Sequence, residues 1–101
     1  MSKSQDFFDN ASEEEIIRLN VLSSQIQFLI AESFKQRDPG SELAQRAVGL
    51  HKEWIELVYG QYSSQLHRDL ASKYTREDES FKNQGEFFKK AIFIFTKNKM
   101  D

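Results

Sequence analysis

The chain has 101 residues, 39% of them apolar and 30% charged, with a formal charge of −2 and a pI of about 5.7. That length supports one domain with one modest core, and the charge balance excludes a broad basic field for nucleic acid. The absence of cysteine excludes disulfides, thiolate metal sites and a cysteine nucleophile.

The longest apolar runs, Phe28 to Ala31 and Ala91 to Phe95, fall far short of the ~20 residues that span a bilayer. The opening "MSKSQDFFDN" lacks a signal-peptide core, so a cytoplasmic protein is expected. Residues 1–11 are expected to be a flexible segment that orders only if Phe7 and Phe8 dock. One proline, four glycines and no sustained two-residue alternation point to helices throughout.

The first long helix opens at "SEEE". Ser12 can cap it, and Glu15, three residues on, completes a capping box. Ile16, Leu19, Ile26, Ile30 and Phe34, with Ser23, recur near helical spacing, and about 25 residues fit before "DPG". Asp38 precedes proline and is pushed out of the helical region, while Gly40 is expected to close the turn. Ser41 caps the next helix, in which Leu43, Ala47, Leu50, Trp54 and Leu57 read as the core-facing seam and which Gly60 stops. Ser63 or Ser64 starts a third helix with Leu66, Leu70 and Tyr74 on one face. "TREDES" reads as a polar break, and a last helix runs from about Gln84 to Lys97 with Phe88, Ala91, Ile92 and Phe95 inward. The fold expected is an all-α bundle of four to five helices, in which short connections make consecutive helices antiparallel neighbours.

The chemistry concentrates in residues 51–70, which hold both histidines, the lone tryptophan and two of the three tyrosines. His51 and His67 lie sixteen residues apart on different expected helices and lack the short spacing usual in a zinc site; haem ligation would need only the two nitrogens. The plainer reading makes one a satisfied core histidine and the other a surface residue. No nucleophile elbow, phosphate loop or metalloprotease motif occurs, so no enzyme, cofactor or metal is expected. Aromatic residues dominate cores. The tyrosines and histidines gathered at one helix junction carry polar tips, however, and a cleft lined by rings with a few polar tips suits an apolar ligand. The basic residues Lys89, Lys90, Lys97 and Lys99 read as a solvated helix face.

The stretch "HKEWIELVYGQYSSQLHRDLASKY", then "DESFKN" and "FFKKAI", resembles the TipAS antibiotic-recognition domain. His51 and Trp54 match a histidine followed three residues later by tryptophan. His67, Leu70 and Tyr74 match the next helix, Asp78 and Phe81 an acidic residue before a phenylalanine, and Gly85 with Phe87, Phe88, Ala91 and Ile92 the closing helix. The resemblance covers residues 12–97, leaving 98–101 as a tail. The segment from Phe81 to Gly85 is shorter than is usual in the family and lacks its tyrosine-rich stretch, so the lip of any cleft differs. Some relatives trap thiopeptides through a cysteine; this chain has none, which implies reversible binding.

The resemblance implies a small globin-like domain that binds bulky, multi-ring apolar antibiotics, alone or beside a fused or separate MerR-type DNA-binding domain, for drug sensing or sequestration. The residues expected at the ligand are His51, Trp54, Tyr62, His67, Tyr74, Phe81 and Phe88, in a cleft between the helices that carry them. No direct nucleic-acid or membrane contact is expected, and a homodimer is compatible. The competing expectation is a dimerisation or partner-docking module with no small ligand.

Overall fold

A computed structural model describes residues 3–77 and 82–98, and the side-chain surroundings of residues 7–73 and 84–97. Among the described residues there are five helices and no strand: α1 (Lys3–Asn10), α2 (Glu13–Gln36), α3 (Glu42–Tyr59), α4 (Ser64–Glu77) and α5 (Lys82–Asn98).

Local chemistry sets most of the boundaries. The Ser12 side chain accepts from the Glu15 amide at 3.2 Å, and Glu15 accepts from the Ser12 amide at 3.0 Å, so the capping box is complete. Glu13, Glu14 and Glu15 fill the first turn of α2, where the helix dipole favours anions. Ser41 Oγ accepts from the Ala44 amide, and Ser63 Oγ from the Leu66 amide; Ser63 is thus the cap and Ser64 the first helical residue. Gly60 ends α3 with φ 72°, a left-handed conformation that costs a non-glycine residue about 1–2 kcal/mol.

In the turn after α2, Arg37 takes the left-handed conformation, with φ 57°. Its amide bonds to the Phe34 carbonyl, and its guanidinium lies over the Phe34 ring at 5.2 Å. Asp38 Oδ1 accepts from the Gly40 amide at 2.9 Å, so an Asx turn closes the loop without a positive φ at the glycine. The polar break is also shorter than "TREDES" suggests, because α4 continues through Thr75, Arg76 and Glu77. Within the segment 1–11, α1 packs against α3, with Phe7 half-buried and Phe8 exposed.

The short turn makes α2 and α3 an antiparallel hairpin, and α4 packs most extensively on α5. Contacts of α5 with α3 and α2 join the two pairs. The core at their meeting is built from Ile26 and Ile30 of α2, Ala44, Ala47 and Val48 of α3, Ala71 of α4, and Phe87, Phe88, Ala91 and Ile92 of α5. Small residues on α3 let neighbouring backbones approach, and the phenylalanines of α5 fill the space beside them.

The expected seam of α3 requires correction. The buried residues are Ala44, Ala47, Val48, His51, Ile55 and Val58; Leu43, Leu50, Trp54 and Leu57 are half-buried. Both sets share the same three-and-four spacing, offset by one residue, or about 100° around the helix. Hydrophobicity favours the leucine set, but the packing of α3 against α2 and α5 together buries the other. The α2 stripe is right at Leu19, Ile26 and Ile30; it also includes Leu22 and a fully buried Ser33, whose hydroxyl bonds back to the Ile30 carbonyl. Phe87 and Thr96 of α5 are buried too.

Candidate functional site

Histidine 51 sits on the buried face of α3, and His67 opens the second turn of α4 with its side chain fully buried. Neither is on the surface: the structure pairs them. His51 Nδ1 and His67 Nε2 are 2.9 Å apart, and the Tyr62 hydroxyl lies 2.8 Å from the other His67 nitrogen, Nδ1. The α3–α4 turn ending in Ser63 carries Tyr62 to this point.

Rings surround the chain of polar atoms. Trp54 stacks on His51 at 5.5 Å between centroids, 14° from parallel, and Phe88 of α5 meets His51 edge-on at 5.2 Å. Tyr62 and Phe95 present edges to His67 at 5.4 and 6.0 Å. Tyr59 reaches Trp54 at 6.4 Å. Five of the seven residues expected at a ligand, His51, Trp54, Tyr62, His67 and Phe88, thus form one contiguous cluster. The side chains of Tyr74 and Phe81 lie outside the described residues. Within the cluster, His51, His67 and Phe88 are buried, while Trp54, Tyr59 and Tyr62 remain half-exposed.

Burial holds both imidazoles neutral. Desolvation, with the neighbouring His67 second, pushes His51 down to about 3; desolvation, with the Lys52 charge second, pushes His67 down to about 4. Burial raises the Tyr62 phenol, which a bond to Ser64 partly offsets, and Lys52 Nζ rests over the Tyr62 ring at 5.1 Å. A neutral imidazole has one donor and one acceptor, so two proton arrangements fit. In one, the Tyr62 hydroxyl donates to His67, which donates to His51. In the other, His51 donates to His67, which donates to the Tyr62 oxygen and releases the hydroxyl proton for another acceptor, Ser64 among them. A coordinated tautomer change therefore lets the half-exposed Tyr62 tip act as acceptor or donor.

A concavity lies between α2 and α3, away from the ring cluster. It is an open groove of about 500 Å³ lined by Ser24, Gln25, Phe28, Leu29, Arg46 and Leu50. Among the described residues no group of three or more histidine or acidic side chains is placed to hold a metal, and no helix is long and apolar enough to cross a membrane.

Sequence reasoning missed two fastening contacts. Gln45 of α3 donates to the Pro39 carbonyl at 2.9 Å and to the Ala91 carbonyl of α5 at 3.1 Å. Arg68 Nε of α4 donates to the buried Thr96 Oγ of α5 at 2.9 Å, and the Thr96 hydroxyl donates back to the Ile92 carbonyl. No spacing rule marks such residues, since the carbonyls they bind are chosen by packing.

In class, this is a compact all-α domain whose half-exposed rings stand on a buried, neutral polar pair. A match to the TipAS antibiotic-recognition domain spans residues 1–100, and the chain belongs to that family. Membership implies recognition of antibiotics or other effectors in general. No curated protein and no solved structure matched the chain.

Proposed function

We propose that this domain reversibly binds bulky, multi-ring apolar antibiotics of thiopeptide-like character, or effectors of similar chemistry, against the ring surface formed by Trp54 and Tyr62. Family membership supports the ligand class. The observation that carries the placement is the mounting of those rings: Trp54 is stacked on His51, and Tyr62 is bonded to His67. Half-exposed rings held this way lose little side-chain freedom when a ligand covers them, which favours affinity. With no cysteine in the chain, the complex is non-covalent.

The reading is of binding without catalysis. A general base must reach its substrate, and both imidazoles are buried and bonded to each other. The biological setting proposed is cytoplasmic, either drug sensing through a fused or separate MerR-type DNA-binding domain or drug sequestration.

Trp54, the single tryptophan, supplies the test. Titration with a thiopeptide panel is expected to quench its fluorescence saturably and raise the melting temperature. Tyr62→Ala should weaken binding about tenfold or more while Leu50→Ala and Arg46→Ala, in the α2–α3 groove, leave it unchanged. The reverse pattern would move the ligand to the groove. Unchanged affinity in both Tyr62→Ala and folded His67→Ala would remove it from the ring surface, and flat titrations of the folded protein would favour a partner-docking role.

A further inference from the structure

Among the described residues no helix covers the outer face of α2, whose Ser24 and Phe28 border the groove shared with α3. Ile17, Val21 and Phe28 are 57%, 49% and 64% exposed, and they follow steps of four and seven along the helix, directly opposite the buried Leu19, Leu22, Ile26 and Ile30. Exposed Ser24 sits between them, so the stripe is continuous and narrow at its middle. Single exposed apolar residues need no explanation, but a helical stripe of three does.

The charges along this face say what can cover it. Its N-terminal end carries exposed Glu13 and Glu14, and its C-terminal end carries exposed Lys35, whose present partner Glu32 lies 3.3 Å away on the same helix. A helix acidic at one end and basic at the other, with an apolar stripe between, is complementary to itself when reversed. A parallel copy would set glutamate against glutamate.

We propose that a second copy of this chain docks on the outer face of α2 as an antiparallel α2–α2 pair, with the two-fold axis passing between Ser24 and Gln25. That register places Val21 against Phe28 of the second copy and Glu14 against its Lys35. Ser24 lies at the axis, where a small side chain lets the helices approach. Ile17 packs on the far side of the same phenylalanine. The arrangement is isologous and closes at two subunits. It also leaves the Trp54–Tyr62 surface, on α3 and the α3–α4 turn, free for ligand.

The lack of native cysteine permits a direct test in the intact chain. Sedimentation across micromolar to millimolar concentration should show a monomer–dimer equilibrium, and Phe28→Glu should weaken it about tenfold or more without loss of helix content. Under mild oxidation Ser24→Cys should form a covalent dimer. Ile17→Cys should not, because its two copies lie about 22 Å apart along the pair at 1.5 Å per residue. Lys35→Glu should weaken the dimer, and the double variant Glu14→Lys/Lys35→Glu should restore it. A protein that stays monomeric at millimolar concentration overturns the proposal. Cross-linking of Ile17→Cys in preference to Ser24→Cys overturns it as well, as does a dimer indifferent to both Phe28→Glu and the charge reversals.

Discussion

The pairing of His51 with His67 makes stability depend on pH in a defined direction. Both side chains are held below the ordinary histidine range, so between about pH 6.5 and 4 the unfolded chain binds protons that the folded one refuses. Their contribution is complete above about pH 6.5 and is lost as pH falls toward the folded values. With two groups the slope approaches about 2.7 kcal/mol per pH unit at most. Denaturant unfolding at pH 7, 6 and 5 should show the loss beginning above the range where carboxylates titrate. The variant His51→Gln/His67→Gln, which keeps polar capacity without the titration, should flatten the curve. A wild-type protein equally stable at pH 6.5 and 5 would contradict the buried neutral pair. Tyr62→Phe removes one bond from the same chain and should cost about 1 kcal/mol. That these residues gather at one junction was legible in the sequence. Their bonding to each other was not, because sixteen positions and a change of helix separate the histidines, and only the docking of the α4–α5 pair against the α2–α3 pair brings their nitrogens together.

The helices show how far local chemistry reaches. The serine caps and the Gly60 stop follow from side chains beside the backbone groups they satisfy, and they were readable for that reason. The face of α3 was not, since its leucine and alanine–valine sets have equal periodicity and the choice depends on how α2 and α5 pack against it. The αL residue after α2 escaped for a related reason: an Asx turn at Asp38 removes the need for a positive φ at Gly40, and Arg37 gains its ring contact by taking that conformation. Two glycines test this division between local and tertiary causes. Gly60→Ala meets no atom within 4 Å, so its cost should be the backbone strain alone, about 1–2 kcal/mol. Gly49→Ala also meets open space, within the α3 helix, and should stabilise the domain by about 0.5–1 kcal/mol. Thermal unfolding of the two variants in opposite directions is the expected result; shifts of the same sign would show that neighbours, rather than backbone conformation, govern these sites.

At the scale of the whole molecule, the radius of gyration of 13.3 Å matches the roughly 13 Å of a compact 100-residue domain. Ligand binding should therefore act on one cooperative unit. A compound held by the native state alone, at a hundredfold excess over its Kd, should add about 2.7 kcal/mol and raise the melting temperature by about 10 °C or more. A ligand that quenches Trp54 without that rise would be binding unfolded chain as readily as folded. Among the described residues, Gln45 fastens the α2–α3 pair to α5 through the Ala91 carbonyl. Gln45→Ala should cost about 1–2 kcal/mol and should increase amide hydrogen exchange in α5 more than in α2.

That two-hairpin construction also sets a kinetic expectation. Each hairpin gathers its contacts from residues near in sequence, so little chain entropy is spent before the first contacts form. Folding should fall in the microsecond-to-millisecond range of helical bundles, with the hairpins forming early and their docking, which closes the histidines away from water, completing the native state. Acid, by protonating those histidines once they are exposed, should leave the hairpins intact and slow only their final meeting.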